Sequence, residues 1–151
     1  MDTLAISSPA FTNNSVIPSR YTCDGEDSNP PLEISGVPEG AKSLALIVDD
    51  PDSPSHDFVH WVMWNISSNT REIAENMVPQ GAAEGMTDFG KTGFGGPCPR
   101  SGTHRYYFKL YALDTTFDLP ASTSKKELEA AMRGHILDDS ELLGLYTRAR
   151  G

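Results

Sequence analysis

The chain has 151 residues, 38% of them hydrophobic and 22% charged, which suits one domain (1–151) able to bury a core without disulfides or metal staples. Twelve basic against 21 acidic side chains leave a formal charge of −9, which argues against nucleic acid as a partner because phosphate backbones require a basic footprint. The same charge disfavours docking on anionic membranes, and no apolar run approaches the roughly 18 residues of a membrane span, so stable membrane insertion is not expected.

Met1-Asp2-Thr3 lacks the basic and apolar regions of a signal peptide, so a cytoplasmic location is expected. Cys23 and Cys98 lie far apart, outside any CxxC or CxxH pattern. Two free thiols are the expectation, with a disulfide as the alternative, and a four-cysteine zinc site is excluded by count.

Leu44 to Val48 is a short apolar run that reads as a buried strand ending at Asp49-Asp50. Phe58 to Ile66 reads as a second strand, with Val59, Trp61 and Met63 on one face and His60, Val62, Trp64 and Ile66 on the other. His104 to Leu113 is the third. There His104, Tyr106, Phe108, Leu110 and Ala112 share a face opposite Arg105, Tyr107, Lys109 and Tyr111. Ser124-Lys125-Lys126-Glu127 fits a capping box, and Leu128, Ala131, Met132, His135 and Ile136 follow as a stripe at helical spacing. Leu142 to Arg148 reads as a final short strand. The sum is a mainly β protein with one or two helices late in the chain.

Two rigid segments carry the candidate chemistry. Asp50-Pro51-Asp52-Ser53-Pro54 precedes His60-Trp61, and Gly95-Gly96-Pro97-Cys98-Pro99 precedes His104-Arg105-Tyr106. Proline fixes φ and glycine reaches angles closed to other residues, so both segments predict rigid loops. Brought together, they would place one carboxylate, two imidazoles and a phenol around fixed backbone N–H groups. That composition suits a small anionic or zwitterionic ligand.

Other readings are weaker. Asp50, His60 and His104 have the composition of a zinc or iron site but lack HxH, HxxxH or HExxH spacing, so no metal is expected. Pro51 and Pro54 interrupt any EF-hand pattern in Asp49-Asp50-Pro51-Asp52, and Asp52 suits the capping of backbone N–H groups. Gly93-Phe94-Gly95-Gly96-Pro97 is neither a Walker A loop nor GxGxxG before a helix, so no cofactor is expected. It leaves a rigid loop whose Gly96 N–H could face a ligand oxygen. Cys98 reads as an inert or redox-labile thiol, and there is no GxSxG elbow. His135 reads as a core-edge histidine and His56 as solvated.

At the two rigid segments the sequence resembles the phosphatidylethanolamine-binding protein family, which includes the Raf kinase inhibitor protein. The short bacterial and archaeal branch is matched further by Tyr21-Thr22-Cys23-Asp24-Gly25 through Pro30-Pro31-Leu32 and by Met132-Arg133-Gly134-His135. The resemblance implies an antiparallel β-sandwich-like fold with short peripheral helices. It also implies a surface pocket for phosphate, acetate-like anions or phosphoethanolamine head groups, formed by Asp50, His60, Gly96, Pro97, His104 and Tyr106. Asp50 would accept a hydrogen bond from a ligand proton or ammonium, and His60 and His104 would donate to its oxygens. A homodimer is implied, and modulation of a phosphoprotein, kinase or protease target. The reading is a non-enzymatic binding protein. Its alternative is a hydrolase or isomerase with Asp50 and His60 as an acid–base pair, possibly metal-dependent.

Overall fold

The computed structural model describes residues 3–54 and 56–148. Its strands are β1 (Ala5–Ser7), β2 (Ser15–Val16), β3 (Leu32–Ser35), β4 (Ser43–Asp50), β5 (Phe58–Ile66), β6 (Glu72–Ile73), β7 (Ala83–Glu84), β8 (His104–Leu113) and β9 (Ile136–Tyr146), with one α-helix, α1 (Lys125–Met132). They form a six-stranded sheet, ordered β2-β9-β8-β4-β5-β7, and a three-stranded sheet, β1-β3-β6. Every pairing is antiparallel except β2 with β9. The expected mainly β sandwich is present.

β4 is the axis of the molecule. It lies between β5 and β8, and all eight of its residues are buried. Leu44, Leu46 and Val48 face Leu32, Ile34 and Ile73 of the small sheet, closing the core between the layers. Ala45 and Ile47 face the other way, toward Leu128 and Met132 of α1. A strand covered on both sides reads as a continuous apolar run, as Leu44 to Val48 does.

β8 keeps the strict alternation its sequence predicts, with His104, Tyr106, Phe108, Leu110 and Ala112 all buried. β5 does not. Its pairing with β4 slips by one residue twice, between Trp61 and Val59 and between Ile66 and Met63. Asn65, at φ 56°, accompanies the second slip. Trp61, Met63 and Ile66 therefore share the inter-sheet core, whereas Val59, Val62 and Trp64 face α1. This corrects the expected sides of Val59 and Ile66, because a bulge inserts an extra residue and resets the period-two register.

The capping box is present: the Ser124 side chain accepts from the Glu127 N–H, and Glu127 reaches back to the Ser124 N–H. The helix stops at Met132, before two residues of the expected stripe. Gly134 adopts φ 84°, and Ile136 is the first, exposed residue of β9. β9 accordingly begins six residues before the expected Leu142. Its first half, Leu137-Asp138-Asp139-Ser140-Glu141, has no apolar alternation and is held by backbone pairing to β8.

α1 is tied to the sheet by charge. Asp49, on the helix side of β4, is fully buried and accepts from Lys109 Nζ at 2.9 Å and Lys125 Nζ at 2.7 Å. Burial alone would lower the Lys125 pKa, but its bonds to Asp49 and Asp57 raise it and keep the ammonium charged. Replacing Lys125 leaves Asp49 with one cation in a dry site. We expect Lys125→Met to lose about 3 kcal/mol in urea unfolding, the low end for a buried charge deprived of a partner. A loss below about 1 kcal/mol, the range of surface pairs, would show the bridge to be dispensable.

Candidate functional site

The next residue of β4, Asp50, points into the other layer. It is 3% exposed and lies opposite the start of β8, where its Oδ2 is 2.6 Å from His104 Nδ1. A carboxylate only accepts, so His104 donates from Nδ1. Asp50 Oδ1 accepts from the Asp52 N–H at 2.8 Å, which shapes the following turn. Asp52 in turn accepts from the Arg105 N–H at 2.9 Å and from its guanidinium at 3.0 and 2.9 Å. Those charged bonds hold the Asp52 carboxyl below its ordinary pKa. The Pro51–Pro54 turn is thus fastened to the start of β8 at His104 and Arg105.

His60 reaches the same place through the first bulge of β5. Its ring packs edge-on against Tyr106, with centroids 5.3 Å apart, and lies 5.1 Å from Phe58. The strand therefore turns His60 to the side of Tyr106, away from its expected companion Val62, which faces α1. Bulges re-aim side chains in this way. Its Nδ1 donates to the Gly95 carbonyl at 2.7 Å, and the Gly95 N–H returns a bond to the His60 carbonyl at 3.0 Å. Burial lowers the His60 pKa, outweighing the acids Asp50, Asp49 and Asp27, so the ring is neutral at neutral pH.

Tyr106 lies between the two rings, 1% exposed, and its hydroxyl is enclosed without a hydrogen-bond partner among the described residues. Burial, reinforced by Asp50 and Asp52, raises its pKa, so it remains a phenol able to donate. These groups line a cavity of about 330 Å³, together with Phe58, Phe89 and the exposed Arg100 and His56.

Four of the six expected residues, Asp50, His60, His104 and Tyr106, converge on this cavity; Gly96 and Pro97 do not line it. The Gly96 N–H donates to Asp27 Oδ1 at 2.8 Å, so it is engaged within the protein rather than facing a ligand. Gly96 is glycine for lack of room: a Cβ there would lie 2.6 Å from the Tyr21 carbonyl oxygen and 2.9 Å from Thr22 Cα. The Pro97 carbonyl accepts from the Cys23 N–H. Nor does Asp50 pair with His60 as an acid–base couple; its imidazole partner is His104.

The cysteines are also corrected. Cys23 and Cys98 form a disulfide, with Cα atoms 5.4 Å apart. It joins the Tyr21–Asp27 loop to the loop leading into β8, and Cys98 lines the cavity. A link between positions 75 apart leaves no local spacing to read. Phe89 and Arg100 were not signalled either, since each stands in a loop without a pattern. Phe58 could have been found, two residues before His60 on one strand.

With this geometry in place, the chain can be set beside known proteins. The phosphatidylethanolamine-binding protein family profile matches residues 7–147. A UPF0098 protein of Methanothermobacter thermautotrophicus is 51% identical over 144 residues, covering 92% of this chain and 95% of that protein. Among solved structures, a phosphatidylethanolamine-binding protein homologue from Chlamydia trachomatis superposes with a TM-score of 0.94 at 38% identity, covering 98% of this chain and 99% of the other. YbcL of Escherichia coli, described as a member of the mammalian family, gives 0.90 at 29% identity, covering 96% and 98%. The chain belongs to the phosphatidylethanolamine-binding protein family, and its class is that of binding proteins built on this sandwich.

Two outcomes follow from the site's packing. Gly96→Ala is expected to destabilise by about 1–3 kcal/mol, the range of overpacking, read as a lower urea midpoint; an unchanged midpoint would show that the Tyr21–Asp27 loop yields. His60 has a folded pKa below its unfolded one, so the unfolded chain binds more protons between the two. Its contribution is complete above about pH 6.5 and is lost as pH falls through the folded value. His60→Gln should flatten the stability slope below about pH 6.5, and an unaltered slope would remove His60 as its source.

Proposed function

We propose that this pocket is a binding site for a small anion, phosphate or a phosphoethanolamine-like head group, rather than a catalytic centre. The observation that carries the reading is the convergence of two separately anchored imidazoles on one cavity beside an unpartnered, enclosed phenol. Buried polar groups left without partners are unfavourable. A ligand that fills them recovers that free energy. Arg100 supplies a cation at the exposed side, and Phe58 and Phe89, with centroids 4.9 Å apart, form an apolar wall. Polar groups and an aromatic wall that adjoins them at His60 suit a charged head group carrying a short apolar extension.

The family resemblance adds a second copy of the chain and a kinase or protease target to this proposal. It also includes a cytoplasmic location. The described residues hold no helix long and apolar enough to cross a membrane. A disulfide persists in a mesophile's reducing cytosol only rarely, whereas intracellular proteins of hyperthermophiles are rich in them.

Titrating phosphoethanolamine into isotope-labelled protein should give saturable shifts of the His60 and His104 rings together. Asp50→Asn should weaken the apparent affinity at least about tenfold, because a charged hydrogen bond is lost from His104. Silence of both rings toward phosphoethanolamine and inorganic phosphate alike would sink the reading.

A further inference from the structure

The two imidazoles have their donors turned away from the cavity. His60 Nδ1 is within 2.7 Å of the Gly95 carbonyl oxygen and His104 Nδ1 within 2.6 Å of Asp50 Oδ2. Both partners only accept, so in each neutral ring the single N–H sits on Nδ1 and Nε2 holds a bare lone pair. Neither Nε2 is among the enclosed unpartnered atoms, which are Ser28 Oγ, Asp49 Oδ1 and Tyr106 Oη. Each ring lines the cavity and has a nitrogen open to it. The cavity therefore meets the Nε2 edge of each ring, a lone pair wherever that ring is neutral, with the Asp50 carboxylate beside them. The Tyr106 hydroxyl is itself enclosed, and the exposed Arg100 is a cation in the lining.

A fully ionised oxyanion cannot settle against those lone pairs. Like-signed groups in a poorly hydrated site repel strongly. Resting on the anion-binding reading above, we propose that the pocket takes its anion together with a proton, selecting a protonated oxyanion or protonating His104 at Nε2 as the anion enters. His104 is the seat of the protein-borne proton because Asp50 on β4 backs its ring. Asp52 in the adjoining turn, Tyr106 on β8 and Tyr146, opposite His104 on β9, are the other titratable groups beside it. His60 faces Asp50, Asp49 and Asp27, yet burial dominates and keeps it neutral. It would receive a proton from the ligand in a hydrogen bond without itself becoming charged. The exposed His56 and Arg100 also line the cavity, His56 stacked on Phe58.

Calorimetry in buffers of differing ionisation enthalpy, with sulfate and inorganic phosphate as probes, measures the protons taken up per anion bound. Sulfate carries no proton at neutral pH, so it reports the ring alone; phosphate can bring its own. With sulfate at about pH 7.5 we expect uptake approaching one proton and an affinity falling about tenfold per pH unit wherever a full proton is taken up. In the unmodified protein, sulfate should also move the His104 ring nitrogens to imidazolium positions. Uptake with sulfate places the proton on His104. Phosphate binding while sulfate fails to bind places the proton on the ligand, which brings its own as hydrogen phosphate, and also supports the proposal. Sulfate bound with no proton uptake between about pH 7 and pH 9 overturns it while leaving the anion site standing. Binding of neither anion down to about pH 5 overturns the site itself.

Discussion

Two adjacent carboxylates at the end of the central strand have to be buried on opposite faces, and much of this structure answers that requirement. Asp49 and Asp50 are 0% and 3% exposed. Alternation along β4 sends one toward α1 and the other into the inter-sheet layer. Each needs a partner that the strand itself does not provide. Lys109 from β8 and Lys125 from the first turn of α1 answer Asp49. His104 and the Asp52 N–H answer Asp50. Helix docking and pocket construction are therefore consequences of one dipeptide.

The two partnerships differ in what they leave open. The ammonium groups that meet Asp49 are held at 2.7 and 2.9 Å in a packed layer with Ile47 and Leu128 nearby. A cavity of about 530 Å³ opens beside Lys125 on that face, but Asp49 itself does not line it. On the other face the partner is a planar ring with a second nitrogen. That ring can satisfy Asp50 with one edge and still present the other outward. His60 repeats the device with a backbone carbonyl as its anchor. Both anchors lie on elements already fixed by pairing or by the disulfide-linked loop, which keeps the rings oriented in the absence of ligand.

How much of this was legible followed from how local the cause was. The faces of β8 were readable because strict alternation runs from His104 to Ala112 with no insertion. The capping box was readable because its two partners are three residues apart. The bulges in β5 were not, since an extra residue becomes visible only when the strand is laid against β4. The end of α1 was missed because His135 and Ile136 continue the apolar spacing beyond Gly134, where the backbone has already turned. Gly96 and Cys98 were misassigned for a shared reason. Both are held by the Tyr21–Asp27 loop, distant in sequence: one through lack of room and a bond to Asp27, the other through Cys23.

The disulfide and the Asp27 bond together make the loop before β8 a fixed wall, and this bears on chemistry as well as shape. Cys98 is the cysteine that lines the cavity, and its sulfur is bonded to Cys23, so thiolate attack is unavailable while the bond stands. Among the described residues, neither imidazole is hydrogen-bonded to a serine or threonine hydroxyl; their partners are a carboxylate and a carbonyl. Neither ring is therefore set against a serine or threonine nucleophile. A pocket whose rings are anchored at one edge leaves the other edge of each toward the cavity, and the Asp50–His104 pair supplies one of those two anchors.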